Sequence, residues 1–302
     1  MRTSEPALSH HTFRAMGTDV TLLTRAGDAE VTARAAARVE GVFAREEQRF
    51  SRFRGDTELS RVNARAGRST NLSRGFAALV GFALDAALRT HGRFDPTALD
   101  AVVAAGYDRD FDEVLAGARA ALRPPRPCGR WREVVLEGTR LRLPDGVGLD
   151  LGGVAKGWTV DLAAEAAVEA GLPWAVVNAG GDLRLAGDPP EPGIEVAVED
   201  PDDRDTEILR LVVAAGALAT SSTTRRAWGP GLHHLIDPST GAPADTGVAQ
   251  ATTWAPTCAE AEVTAKEALL LGVPVLARIP AVLVTADGRI ETSLSGTREV
   301  AA

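Results

Sequence analysis

Val147-Gly148-Leu149-Asp150-Leu151-Gly152-Gly153-Val154-Ala155-Lys156-Gly157-Trp158-Thr159-Val160-Asp161 is the stretch whose reading decides how the rest of the chain is arranged. An apolar alternation ends at Leu149 and Asp150 interrupts it. Gly152 and Gly153 then precede a run carrying Val160, Ala163, Ala164, Ala167 and Val168 at helical spacing. The pattern predicts a strand, a glycine turn and a helix over 154–170. Such a turn leaves amide groups unpaired at the positive end of a helix, an arrangement that suits a phosphate. Lys156 falls in the first turn, placed to set an ammonium over the same anion. Of the 33 basic residues only Lys156 and Lys266 are lysine. A compact, strongly hydrated ammonium does not interchange with guanidinium in a tight site. For Lys266 the plainer reading is an ordinary helix-surface pair with Glu262, four residues earlier.

Toward the N-terminus, residues 1–11 read as a disordered leader and 12–302 as one domain. Residues 13–24 read as a single strand with Gly17 in its interior, where glycine often marks the close approach of a ligand. A long helix over 29–49 puts Val31, Ala35, Val39, Val42 and Phe43 on one face. Thr57 caps a short segment with Leu59 and Val62, and Ser73 caps a second long helix over 72–91. The turn that follows sets Asp95 beside Phe94. A proline-rich loop over 124–130 leads into a hairpin over 131–144, turned at Gly138.

Toward the C-terminus, a buried strand over 174–178 runs into a second glycine turn containing Asp182. Strands are expected over 195–198, 208–213 and 248–255, and a helix over 257–271 beginning at Thr257. Asp287-Gly288 reads as a hairpin turn. Long helices and strands that do not strictly alternate give an α+β class with mixed or antiparallel sheets.

The composition, 45% hydrophobic and 25% charged, is that of a globular chain of one large domain or two packed lobes. A net charge of −8 without a basic run argues against nucleic acid as a partner. Cys128 and Cys258 lie far apart and have no metal-ligand spacing. No apolar run is long enough for a membrane span and no secretory leader is evident, so a cytoplasmic protein is expected.

Among five histidines, His233 and His234 lie in a motif-like turn, His233-His234-Leu235-Ile236-Asp237-Pro238-Ser239-Thr240-Gly241. A histidine at a strand end before Asp-Pro suits a general acid or base, or else hydrogen-bonds into its own turn. Asp95, Asp150 and Asp182 each stand close to glycine. With the histidine turn they favour a nucleotide-sized ligand met by backbone at several points. Neither Gly-x-Gly-x-x-Gly nor a Walker sequence is present.

These segments, in this order, resemble the ApbE family of FAD:protein FMN transferases. The resemblance runs from about Phe13 to Gly272. It is carried by Met16-Gly17-Thr18, Phe50-Ser51-Arg52-Phe53 with Glu58-Leu59-Ser60-Arg61-Val62-Asn63, Gly92-Arg93-Phe94-Asp95-Pro96-Thr97, Gly106-Tyr107-Asp108, Asp150-Leu151-Gly152-Gly153-Val154-Ala155-Lys156-Gly157, Asn178-Ala179-Gly180-Gly181-Asp182 and the histidine turn. It implies a two-lobed, T-fold-like single domain. It also implies that FAD binds with a divalent metal, normally Mg2+, and that a Thr or Ser hydroxyl of an acceptor flavoprotein attacks the FMN phosphorus while AMP leaves. On the resemblance, Met16, Phe53, Phe94, Asp95, Asp150, Lys156 and Ile236 match FAD-contacting positions. His234 matches the residue that activates the hydroxyl, and the Gly153 carbonyl matches a metal ligand. The protein is then a monomer or homodimer.

One segment departs from the family. The pattern Ala-Asp-x-x-x-Thr, whose Asp and Thr are metal ligands, is here Ala261-Glu262-Val263-Thr264-Ala265-Lys266 when counted without a gap from Gly272. Glutamate still ligates magnesium, but a protonated lysine does not. Shifting by two puts Glu260 and Thr264 in those roles and breaks the match at Leu271-Gly272. The ungapped reading makes Glu262 and Lys266 the residues at the metal position, with Lys266 standing where metal or ligand would be. Hydrolysis of FAD to FMN and AMP, and flavin binding without turnover, are the alternative activities.

Overall fold

The computed structural model describes residues 7–117, 121–294 and 297–299. Its centre is an eight-stranded sheet: β1 (Leu8–Ala15), β2 (Thr18–Arg25), β3 (Trp174–Ala179), β4 (Asp182–Gly187), β5 (Gly216–Ser222), β6 (Val248–Ala255), β7 (Ala281–Thr285) and β8 (Ile290–Thr292). The strands lie side by side in chain order, and each neighbouring pair is antiparallel. The sheet is therefore a meander whose connections have been enlarged, and the long excursions between strands build the rest of the molecule.

The largest excursion, between β2 and β3, holds α1 (Ala29–Phe50), α2 (Glu58–Asn63), α3 (Arg74–Arg89), α4 (Leu99–Ala104), α5 (Phe111–Leu115) and α6 (Ala155–Glu169). Between β6 and β7 lies α7 (Cys258–Leu271). Side-chain caps set five of the helix starts. Asp28 opens α1, Thr57 α2, Ser73 α3, Asp110 α5 and Thr257 α7, each oxygen accepting from an amide in the first turn.

Period-two alternation then sorts the sheet's residues between two faces. Ala175, Val177 and Ala179 of β3 pack with Val20 and Leu22 of β2 against α1 and α6. Trp174 and Val176 point the other way, to Leu209, Leu211 and Val213 of a small second sheet. That sheet consists of Ile194–Glu199, Glu207–Val213 and Thr297–Glu299. A further core gathers Phe50, Leu59, Phe76, Leu79, Phe94, Leu149 and Val154 under α3, and so seats the excursion against the glycine bend.

Four expectations change. The single strand expected over 13–24 is a hairpin, because Met16 (φ 49°) and Gly17 (φ 70°) both take positive φ and turn the chain in two residues. The leader expected over 1–11 is strand from Leu8 onward, paired with β2, while residues 1–6 lie outside the described residues. No strand directly precedes Gly152, residues 143–151 being irregular. The Asn63 side chain replaces a ladder there, with Nδ2 donating to the Leu149 carbonyl (2.9 Å) and Oδ1 accepting from the Leu149 amide (2.8 Å). The hairpin at 131–144 narrows to Val135–Glu137 and Arg140–Arg142, behind a 3₁₀ turn at Arg130–Glu133. The α+β class stands, with antiparallel rather than mixed strand pairing.

Candidate active site

A cleft of about 300 Å³ lies between the α6–α7 side of the sheet and the excursion that carries α1 to α5. Met16, Phe53, Phe94, Asp95, Asp150, Gly153, Lys156, His234, Ile236 and Lys266 all line it. Of the residues matched to the family's contacts only Glu262 does not reach the cavity, and the further candidates Asp182 and His233 also lie outside it. Glu262 lies buried behind Lys266.

The floor is made where α6 and α7 cross at their N-termini. The two helices cap each other. Asp161 of α6 accepts from the amides of Cys258 (2.7 Å) and Ala259 (3.0 Å) at the start of α7. Glu262 of α7 accepts in return from the Gly157 amide in the first turn of α6 (2.9 Å). Helix starts leave orphan amides, and here each helix supplies the carboxylate its neighbour lacks. Glycine at 157 is what permits the approach, since a Cβ there would meet the Cys258 carbonyl oxygen at 2.6 Å. Burial, opposed by these amides and by Arg184, pushes the Asp161 carboxyl up to about 6.

The glycine bend borders the cleft, but its amides are more committed than the sequence pattern implies. Gly152 donates to Asp150 Oδ1 (2.8 Å), while Val154 and Ala155 donate to the Leu151 carbonyl (3.0 and 2.8 Å). Lys156 is likewise held. Its Nζ donates to the Ala179 carbonyl (2.9 Å) and pairs with the buried carboxylate of Asp182 at the second glycine turn. Burial raises the Asp182 pKa, with Lys156 pulling against it. The ammonium over an open helix end is thus corrected to an ammonium tied across α6, β3 and β4, with one flank toward the cleft.

Lys266 lies on the face of α7 that also turns Leu269 and Leu270 to the cleft. Its Nζ donates to Glu262 Oε1 (3.2 Å) and to the Glu262 carbonyl (3.4 Å). The ordinary surface pair expected for these two is instead a largely buried one, with side chains 17% and 4% exposed. Lys266 runs alongside the bend, so that a Cβ on Gly153 would meet its Cε at 3.1 Å and Phe94 at 3.2 Å. Thr264 donates to the Glu260 carbonyl (2.7 Å), and neither residue lines the cleft. These residues do not make a magnesium site. Each Glu262 oxygen already accepts an N–H, one of them from a cation, an ammonium has no lone pair to give, and no three His, Cys, Asp or Glu side chains form a metal-holding group among the described residues.

The opposite wall carries the histidine turn, and the two histidines divide the two roles the sequence left open. His233 is the turn residue: Nε2 donates to the Ala244 carbonyl (3.0 Å) and Nδ1 accepts from the Leu235 amide (3.3 Å). His234 lines the cleft, and its Nδ1 is buried without a hydrogen-bond partner. Burial holds the His234 pKa well below 6.5, helped by the positive charges of Arg226 and Lys266 and opposed by the Arg226 main chain. The ring is therefore neutral at neutral pH, with Nδ1 left as an unused acceptor or donor facing no protein partner. Neither thiol competes as a base. Burial pushes Cys128 up to about 12 and Cys258 well above its ordinary range.

Arg52, Tyr107 and Arg226 were not nominated from sequence. The Arg52 guanidinium lies 4.2 Å from the Phe53 ring centre and 4.5 Å from that of Tyr107, and its Nε faces Asp150 Oδ2 at 3.4 Å. Its Nη2 has no partner. Arg226 donates to the Tyr107 hydroxyl (3.3 Å). Arg52 had a signal, its place between Ser51 and Phe53 in a family segment. Arg226 had none, being one arginine among many. Asp95 has both oxygens engaged, Oδ1 by the Thr97 amide and hydroxyl and Oδ2 by the Gly129 amide (2.7, 2.6 and 2.6 Å).

The sequence model of the ApbE family matches residues 16–285. The chain belongs to the ApbE family. Among its relatives, a FAD:protein FMN transferase of Rhodobacter capsulatus is 32% identical over 239 residues, 77% of this chain and 46% of its own length. A second, from Treponema pallidum, is 30% identical over 261 residues, covering 78% of this chain and 72% of its own. The chain thus spans less than half of the first relative. The ApbE fold is equally clear: the ApbE protein of Thermotoga maritima superposes with a TM-score of 0.83 at 24% identity, over 95% of this chain and 97% of its own. No helix among the described residues is long and apolar enough to cross a membrane.

Proposed function

We propose that this ApbE-family protein transfers the FMN moiety of FAD to a Thr or Ser hydroxyl of an acceptor flavoprotein and releases AMP. The observation that carries the reading is His234 Nδ1, buried, unpartnered and kept neutral in the same cleft as the glycine bend. FAD is the substrate. The hydroxyl oxygen forms a bond to the FMN phosphorus, the bond from that phosphorus to the bridging oxygen breaks, and AMP carries the bridging oxygen away. His234 accepts the hydroxyl proton, which sharpens the nucleophile. Phe94 and Ile236 supply apolar contact for the flavin dinucleotide, with the Arg52–Phe53–Tyr107 stack at the cleft's other end. Asp150 orients the bend through Gly152, and Met16 borders the cleft from the first hairpin.

The acceptor is a transient partner. Two unpaired cysteines favour a reducing compartment, the cytoplasm. The test is incubation with FAD and a candidate acceptor, followed by intact-mass measurement. An FMN adduct on the acceptor, with AMP released, is expected. AMP without adduct makes the protein a FAD hydrolase, and neither product makes it a flavin binder without turnover.

A further inference from the structure

We propose that Lys266 is a built-in counter-cation for the FAD diphosphate, doing the work that the family pattern gives to a divalent ion at this helix. The inference rests on the flavin reading above and adds that binding requires no metal.

Three observations carry it. First, the two lysines are held differently. Lys156 is tied to Asp182 and to the Ala179 carbonyl, so its charge is matched by a buried anion on a different element. Lys266 also meets a buried carboxylate and a carbonyl, but both belong to Glu262, one turn back on its own helix, so among the described residues its hydrogen bonds tie it to no other element. Each ammonium has two acceptors, and that of Lys266 lies on the cleft wall beside Gly153. Second, the Glu262 carboxylate is shared. Its other oxygen holds the Gly157 amide, so the residue stays oriented whether or not a ligand is present, and Lys266 is pre-positioned at little entropic cost. Third, the amides of Gly152, Val154, Ala155 and Gly157 are already bonded. The bend itself therefore supplies little of the counter-charge, and among the cations lining the cleft the Lys266 ammonium is the one that runs beside Gly153. A divalent cation brought to the same place would face that ammonium at close range in a partly dry cleft, where like charges repel strongly.

The test uses the full chain, stripped with EDTA and titrated with FAD by calorimetry, with and without added magnesium. The expected result is the same dissociation constant in both conditions. Lys266→Met, and Lys266→Gln should the first variant fail to fold, weakens FAD binding about 10- to 100-fold, the worth of a charge-assisted hydrogen bond. Magnesium does not restore either variant. The double change Glu262→Asp with Lys266→Thr rebuilds the family pattern and makes binding chelator-sensitive. Wild-type binding that EDTA abolishes and magnesium restores overturns the inference and leaves the flavin reading intact. Unchanged affinity in the folded Lys266 variants does the same. No FAD binding by the wild type in either condition overturns the flavin reading, and this inference with it.

Discussion

The two walls of the cleft are built on opposite rules. On the α6–α7 wall the charged groups are satisfied: Asp161 and Glu262 cap each other's helices, and Lys156 is closed onto Asp182. On the facing side, His234 Nδ1 and Arg52 Nη2 are buried and have no partner. An unpaired buried polar atom costs about 1–3 kcal/mol. Glu46 Oε2, Trp131 Nε1 and Arg184 Nε are also buried without a partner, but of the five residues only His234 and Arg52 line the cleft, where a ligand can complete them. The contrast separates scaffold from reagent, and each wall is open to a different kind of damage.

The largest effect belongs to the unsatisfied wall. His234→Ala is expected to lower the FMN-transfer rate by about 10²- to 10⁴-fold while the thermal midpoint stays where it was. A falling midpoint with intact transfer would move His234 to the scaffold side. The same ring sets a pH expectation. Its folded pKa lies below 6.5, so it stays a competent base as the solution is acidified through 6.5. The acid limb of the transfer rate should therefore fall below that value. For stability the sign is the reverse: the unfolded chain takes up this proton first, so acidification below 6.5 favours unfolding.

Next comes the satisfied wall. Lys156→Met leaves the Asp182 carboxylate buried and unpaired, and a loss of about 3 kcal/mol or more is expected in urea unfolding. A loss of FAD affinity at unchanged stability would show instead that this ammonium serves the ligand. The smallest effect is at the reciprocal caps. Asp161→Ala removes the acceptor of two amides at the α7 start and should cost about 1–2 kcal/mol, read by the same unfolding curve. Transfer per folded molecule should hardly change, because Asp161 does not line the cleft.

Much of this division was legible along the chain. Thr57, Ser73 and Thr257 announced helix starts because a cap is a contact between residues two or three apart, and each start lies where expected. The strand over 174–178 was legible from its apolar run alone. The turn at Met16-Gly17 was not, because nothing in the alternation marks a methionine that takes positive φ. The apolar run to Leu149 misled for a similar reason. Its backbone is satisfied by Asn63, 86 residues away, where a neighbouring strand would otherwise be needed. Asp182 was visible as an acid beside glycines, but not as the partner that closes Lys156.

By itself the sequence determined α1, α2, α3, α6 and α7 but not the short α4 and α5, along with the α+β class, the order of the glycine and histidine turns, and the presence of lysine at only two places. All of these are written in short-range periodicity, capping and composition. Tertiary structure alone decided which of the two histidines has both ring nitrogens bonded and which keeps Nδ1 unpartnered, and which carboxylate each of the two lysines meets at the cleft. Those distinctions depend on pairings across tens of residues, where the cost of burying a charge is settled by whatever group the fold brings within hydrogen-bond distance.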